Sequence, residues 1–240
     1  MAKVQTVLRD RTTDDLGFTL VHEHLTAGFP GYEWDNTSFD RTKELASAVV
    51  KLKEIKFLAV SSFVDLCPME LGRDPEFVAE CANKSGLNVT IATGQYNEAL
   101  GIPPHFRSLS ADDIAEVFVR EITEGIGNTG IKAGLIKTDT GGIPGLTETA
   151  TSIGVHEETC LRAAAHSHKA TGTFTLCNND EFGPFGRETL DVFEEEGVDL
   201  NRVMIGHACG VGDMRYHFDI LERGAWIGFD RFGVEAIASH

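Results

Sequence analysis

The 240-residue chain has no long apolar run. Nothing in it approaches the roughly 18 uninterrupted apolar residues of a membrane-spanning helix. The start, Met1 to Asp10, has no signal-peptide core, so cytoplasmic residence is the default expectation. Positive charge is scarce: 21 Lys and Arg stand against 37 Asp and Glu, a net charge of −16. Such an acidic surface argues against nucleic acid or an anionic membrane as a partner. Cysteine is sparse and scattered. Cys67, Cys81, Cys160, Cys177 and Cys209 show no close pairing, which in a cytosolic chain reads as free thiols. Most such cysteines are small core residues, although Cys177 and Cys209 fall near predicted strand ends. Low-complexity runs and Pro/Ser-rich hinges are also missing, so no linker divides the sequence.

What is present is a recurring unit: apolar strand, polar loop, amphipathic helix, glycine, next strand. The glycines are Gly86, Gly130, Gly172, Gly197 and Gly224. Glycine just past a helix end accepts the left-handed backbone that closes the helix. Leu45, Val49, Leu52 and Ile55 form one helical stripe, and Ile114, Val117, Phe118 and Ile122 form another. Ser110 with Asp113 reads as the N-terminal cap of the second. Strands alternating with helices imply a parallel sheet with right-handed crossovers.

Seven strands are expected, at about 18–23, 60–65, 88–93, 131–137, 173–178, 203–207 and 225–230. A hydrophobic content of 42% suits one α/β barrel or two smaller domains. A closed TIM-type (β/α)8 barrel needs eight strands and typically about 250 residues. An open doubly wound sheet would place a Gly-rich phosphate loop after the first strand. Here the first strand ends in His22-Glu23-His24, which favours the barrel. The expectation is a single α/β domain over residues 1–240, a TIM-type barrel lacking its eighth β/α unit.

Side chains alternate along a strand, so His22 and His24 point one way and Glu23 the other. Two imidazoles on one face can grip a metal ion; two unrelated histidines near a strand end is the other reading. In a barrel, function gathers at the C-terminal ends of strands. Those ends carry His22 and His24, then Asp65, Tyr96, Lys137, Cys177 with Asn178, His207, and Asp230 with Arg231. Lysine is rarely buried unless paired, and a desolvated amine becomes reactive. His105, His156, His166, His168, His217 and His240 read as structural. Glu194-Glu195-Glu196 reads as a solvated helix end.

Several segments resemble the phosphotriesterase-like family of the amidohydrolase superfamily. They are Thr6-Val7-Leu8, Leu16–Leu25, Ile91–Tyr96, Gly130–Lys137, Phe193–His207 and Gly228–Gly233, in family order across nearly the whole chain. The resemblance implies a (β/α)8 barrel with a binuclear metal centre. The cofactor it implies is one or two divalent ions, zinc first, with cobalt, iron or manganese as alternatives. His22, His24 and His207 match metal ligands. Lys137 matches a lysine that is carboxylated by carbon dioxide and bridges the metals. Tyr96 and Arg231 match residues that line the substrate pocket of the lactonase branch. The implied activity is hydrolysis of small-molecule lactones, carboxyl esters or organophosphate triesters.

Two departures accompany the resemblance. The fifth-strand histidine falls on Asn178, whose amide oxygen is a poor substitute for imidazole on a zinc-like ion. The eighth-strand aspartate has no counterpart, and Asp230 belongs to the seventh strand. Both imply impaired activity. The alternative is a barrel that is weak or inactive in catalysis and binds a ligand or partner. Open edges on the first and seventh strands would recruit another chain, so a homo-oligomer is expected.

Overall fold

Strand and helix alternate through the computed structural model, which describes residues 3–142, 147, 150–180 and 183–232. These fall into two units. The first comprises the chain up to Thr93 together with Arg120–Leu135; the second comprises Gly94–Val119 and the chain from Ile136 onward.

The first unit opens with two short antiparallel strands, β1 (Lys3–Val4) and β2 (Arg11–Thr12). Then come β3 (Phe18–Glu23), the single-turn α1 (Tyr32–Asp35), α2 (Arg41–Phe57), β4 (Val60–Asp65), α3 (Pro75–Ser85) and β5 (Asn88–Gly94). β3 pairs parallel with β4, with Leu20 opposite Phe63 and Glu23 opposite Asp65. β4 pairs parallel with β5, with Asp65 opposite Ile91. Capping explains where the helices begin. The Asp40 carboxylate accepts from the Thr42 and Lys43 amides, and Asp74 accepts from the Phe77 amide at 2.9 Å, one residue ahead of Pro75. Of the expected stripe, Leu45, Val49 and Leu52 are buried and Ile55 is half-buried. At the end of α3, Gly86 has φ +71°, a left-handed residue that lets β5 follow at once.

A buried ion pair stiffens this unit. Arg73 Nη1 and Nη2 lie 2.7 and 2.8 Å from the two Glu121 oxygens, and Thr93 donates to Glu121 at 2.6 Å. Both charged side chains are under a tenth exposed. The fork geometry satisfies several polar atoms at once, which compensates part of the desolvation.

The second unit holds most of α4 (Ala111–Thr123), then β6 (Leu135–Thr140), α5 (Val155–Thr171), β7 (Thr175–Asn179), α6 (Gly186–Glu195), β8 (Val203–Ile205), α7 (Met214–Glu222) and β9 (Trp226–Ile227). Ser110 Oγ and the Asp113 carboxylate are 2.6 Å apart and each accepts the other's backbone amide, the reciprocal cap expected. The pairs β6–β7, β7–β8 and β8–β9 are all parallel. The chain is therefore α/β of the (β/α)-barrel class, with seven parallel strands and no eighth among the described residues. No described helix is long and apolar enough to cross a membrane.

Two strands differ from expectation. The strand expected at 131–137 begins at Leu135 and runs to Thr140. The preceding amides are used elsewhere: Ala133 N donates to Glu121 O and Gly134 N to Ile91 O. The strand expected at 225–230 shrinks to Trp226–Ile227, although Gly228 N still donates to Ile205 O at 2.8 Å. His240 and Gly233 lie outside the described residues.

Candidate metal and substrate site

In the first unit, β3 delivers His22 to a buried position and releases His24 just beyond its last residue. Their rings lie edge to face with centroids 5.7 Å apart. His24 does not stand alone. Its Nδ1 lies 3.1 Å from Cys67 Sγ. Cys67 N in turn donates to Asp65 Oδ1 at 2.9 Å, and Leu25 N donates to Asp65 Oδ2 at 3.3 Å. One ligand atom each from His24, Asp65 and Cys67 lies within 4.8 Å of the others. Burial pushes the Asp65 carboxyl above its ordinary range, against these donated hydrogen bonds. Sequence reasoning placed Asp65 at a strand end and left Cys67 as an ordinary thiol. No spacing rule links position 67 to position 24; the parallel pairing of β3 with β4 does.

In the second unit, Lys137 on β6 is fully buried. The chain leaves β5 directly against it. Gly94 has φ +116°, and a Cβ there would collide with the Lys137 carbonyl oxygen. Gln95 N donates to that oxygen at 3.1 Å. The turn brings Tyr96 over the lysine, with Nζ 5.6 Å from the ring centroid. Tyr96 and Lys137 are thus neighbours because glycine alone fits at position 94.

Asp139 follows two residues after Lys137, on the same strand face. Its Oδ2 is 4.0 Å from Lys137 Nζ, and its Oδ1 accepts from Asn97 Nδ2 at 3.0 Å. The register sets Asp139 opposite Asn178 and Thr138 opposite Cys177. Asn178 is buried, and its side-chain amide pulls the Asp139 carboxyl down. Its own Oδ1 has no hydrogen-bond partner among the described residues. Burial raises the Asp139 carboxyl, which Lys137 and the two amides only partly offset. Cys177 faces the other way and accepts from Thr138 at 2.9 Å, and burial lifts its thiol to about 12. Asn179 donates to the Tyr216 hydroxyl at 2.7 Å. Neither residue shares the Asn178 face. Asp139 was missed in the sequence, because an Asp two residues past a strand-end lysine carries no motif.

His207 follows β8 in a left-handed conformation, φ +58°, unusual for a residue with a side chain. Its backbone N donates to both Asp230 oxygens at 3.1 Å, and its Nδ1 lies 2.8 Å from Asp230 Oδ1. Burial drives its imidazole down to about 4, with Arg231 and Lys137 adding to the shift and Asp230 opposing it. The ring is therefore neutral at pH 7, and the Asp230 contact puts the proton on Nδ1 and the lone pair on Nε2. Asp230 has the role of orienting His207, as carboxylates do for ligating imidazoles.

Three of the other described histidines have close polar partners of their own. His168 Nδ1 lies 2.8 Å from Thr173 O, His217 Nε2 lies 2.8 Å from Ala208 O, and His166 Nε2 lies 3.0 Å from Glu196. The donor chemistry of both units suits a divalent cation: imidazoles, buried carboxylates, a buried amine and an amide oxygen with no hydrogen-bond partner among the described residues.

The Phosphotriesterase family model matches residues 2–240. A phosphotriesterase homology protein of Mycobacterium tuberculosis (strain ATCC 25618 / H37Rv) is 36% identical over 247 residues, covering 99% of this chain and 73% of that protein. The aryldialkylphosphatase of Saccharolobus solfataricus is 32% identical over 223 residues, covering 92% and 68%. A solved structure from the molecular engineering of organophosphate hydrolysis activity from a weak promiscuous lactonase template is similar at a TM-score of 0.88 and 34% identity, covering 96% of this chain and 71% of that one. A mutant of the organophosphorus hydrolase from Deinococcus radiodurans is similar at a TM-score of 0.88 and 34% identity, covering 97% and 70%.

Proposed function

Because the chain belongs to the phosphotriesterase family, we propose that it is a divalent-metal-dependent hydrolase of lactones, carboxyl esters or organophosphate triesters. The proposed ligands are His22, His24, His207 and a carboxylated Lys137. The observation that carries this reading is His207: buried, with its backbone N and ring Nδ1 both held by Asp230. A bound divalent cation supplies Lewis acidity and brings the pKa of a water from about 15.7 toward 7.

The chain's own residues complete the chemistry. Tyr96, beside Lys137, donates a hydrogen bond to the carbonyl or phosphoryl oxygen as charge gathers there. Arg231, next to Asp230, orients the substrate. Gly94 holds the Tyr96 turn against Lys137. Zinc is the first choice of ion, with cobalt, iron and manganese compatible with the same donors. A homo-oligomer remains part of the proposal.

Asn178 sets the expected rate. With an amide where the resemblance calls for imidazole, turnover is impaired. A second reading, a barrel that binds a small ligand without turning it over, is favoured by the same residue. The test is metal content after dialysis, followed by assays of a lactone, an aryl ester and a triester with added zinc, cobalt or manganese. Slow, metal-stimulated hydrolysis supports the enzyme. Metal binding with no hydrolysis of any of the three supports the second reading.

A further inference from the structure

The amide at position 178 leaves the proposed centre short of one donor in the second unit. We propose that Asp139 supplies it: the Asp139 carboxylate is a metal ligand, and Asn178 is the amide that orients it. This rests on the metal-dependent reading above and goes beyond it by naming a ligand outside the resemblance.

Geometry comes first. Parallel register sets Asp139 directly beside Asn178, on the strand face that Lys137 also occupies. Chemistry follows. Carboxylate oxygen is a common ligand for zinc and suits the harder divalent ions equally, whereas amide oxygen is weak on a zinc-like ion.

The surroundings match those of a ligating carboxylate. Asn97 Nδ2 donates to Oδ1 at 3.0 Å, and Asn178 stands opposite on the neighbouring strand. Asn97 is itself fixed, since its Oδ1 accepts from Leu100 N at 3.0 Å. Neither amide brings charge. Asp139 is only 6% exposed, and the Lys137 amine is 4.0 Å away, beyond hydrogen-bond length. The Asn178 Oδ1 fits the same picture, a buried acceptor on this face with no hydrogen-bond partner among the described residues. The exchange of a neutral imidazole for an anionic carboxylate lowers the Lewis acidity of the ion. Retained metal together with slow turnover is the outcome it predicts.

The experiment titrates the metal-stripped full chain with Co2+ and follows ligand-field absorbance, alongside zinc content after dialysis. Wild type binds. Asp139→Asn is expected to bind more weakly by about 100-fold or more, beyond the 10–100-fold that second-shell losses cost, with a changed cobalt spectrum. Adding Asn178→His to Asp139→Asn is expected to restore most of the affinity. Asp139→Asn with wild-type affinity and spectrum overturns the proposal. If Asp139→Asn does not fold, Asp139→Cys carries the test. A thiolate-to-cobalt charge-transfer band beyond that of wild type supports ligation, and its absence in folded protein overturns it. A wild-type chain that binds neither ion sinks the hydrolase reading itself; a change confined to the variants speaks only to Asp139.

Discussion

His207 and Asp230 are bound twice over: the His207 backbone N donates to both Asp230 oxygens at 3.1 Å, and its ring Nδ1 lies 2.8 Å from one of them. One carboxylate therefore holds both the left-handed backbone and the tautomer of the imidazole. Asp230→Ala should weaken zinc binding by about 10–100-fold, the usual cost of removing an orienting carboxylate. Competition with a chromogenic chelator measures it. Unchanged affinity would remove Asp230 from the site.

The Arg73–Glu121 pair predicts a stability effect away from the site. Glu121→Ala leaves a buried guanidinium without its partner and should cost about 3–5 kcal/mol. Urea unfolding followed by circular dichroism reads this directly. Replacing both residues with apolar side chains of similar volume should recover much of the loss, because no uncompensated charge then remains.

Gly94 is the sharpest steric constraint near Lys137. Gly94→Ala adds a methyl against the Lys137 carbonyl and places alanine at φ +116°. Backbone strain of this kind costs about 1–3 kcal/mol, before the clash is counted. Thermal unfolding should shift down, and Tyr96 should lose its position over Lys137. A variant with wild-type melting temperature and activity would contradict the geometry.

The Glu196 cluster predicts a pH dependence. Arg162, His166 and Lys169 surround Glu196, and the Arg162 hydrogen bond is the largest cause holding its carboxyl below the ordinary glutamate value. A carboxylate depressed in the folded state stabilises fully above its unfolded pKa, and that stability is lost as pH falls through the folded value. Glu196→Gln should therefore flatten the acid limb of the stability curve below about pH 4.5. Solvent exposure keeps the contribution within about 1 kcal/mol, and added salt should shrink it. Denaturant midpoints collected across pH and ionic strength test both.

Much of the architecture was legible residue by residue. The stripe of Leu45, Val49 and Leu52 is buried in α2, and the Ser110–Asp113 cap opens α4, because both depend on neighbours within one or two turns. The strand at 60–65 is found as expected. The strand expected at 131–137 moved to 135–140, because Ala133 and Gly134 hydrogen-bond to Glu121 and Ile91, partners far away in sequence. No local pattern records such a competitor. Lys137 was expected at a strand end, but β6 runs on to Thr140 and leaves it inside the strand.

The sequence alone determined the alternation of strand and helix, the family, and which side chains sit at or near strand ends, since each follows from short-range periodicity or ordered motifs. Tertiary structure decided which of those side chains are neighbours. Register set Asp139 against Asn178, β3–β4 pairing brought Cys67 to His24, and a left-handed turn bound His207 to Asp230. Such contacts join residues between 23 and 43 positions apart, and only the pairing of whole strands and turns creates them.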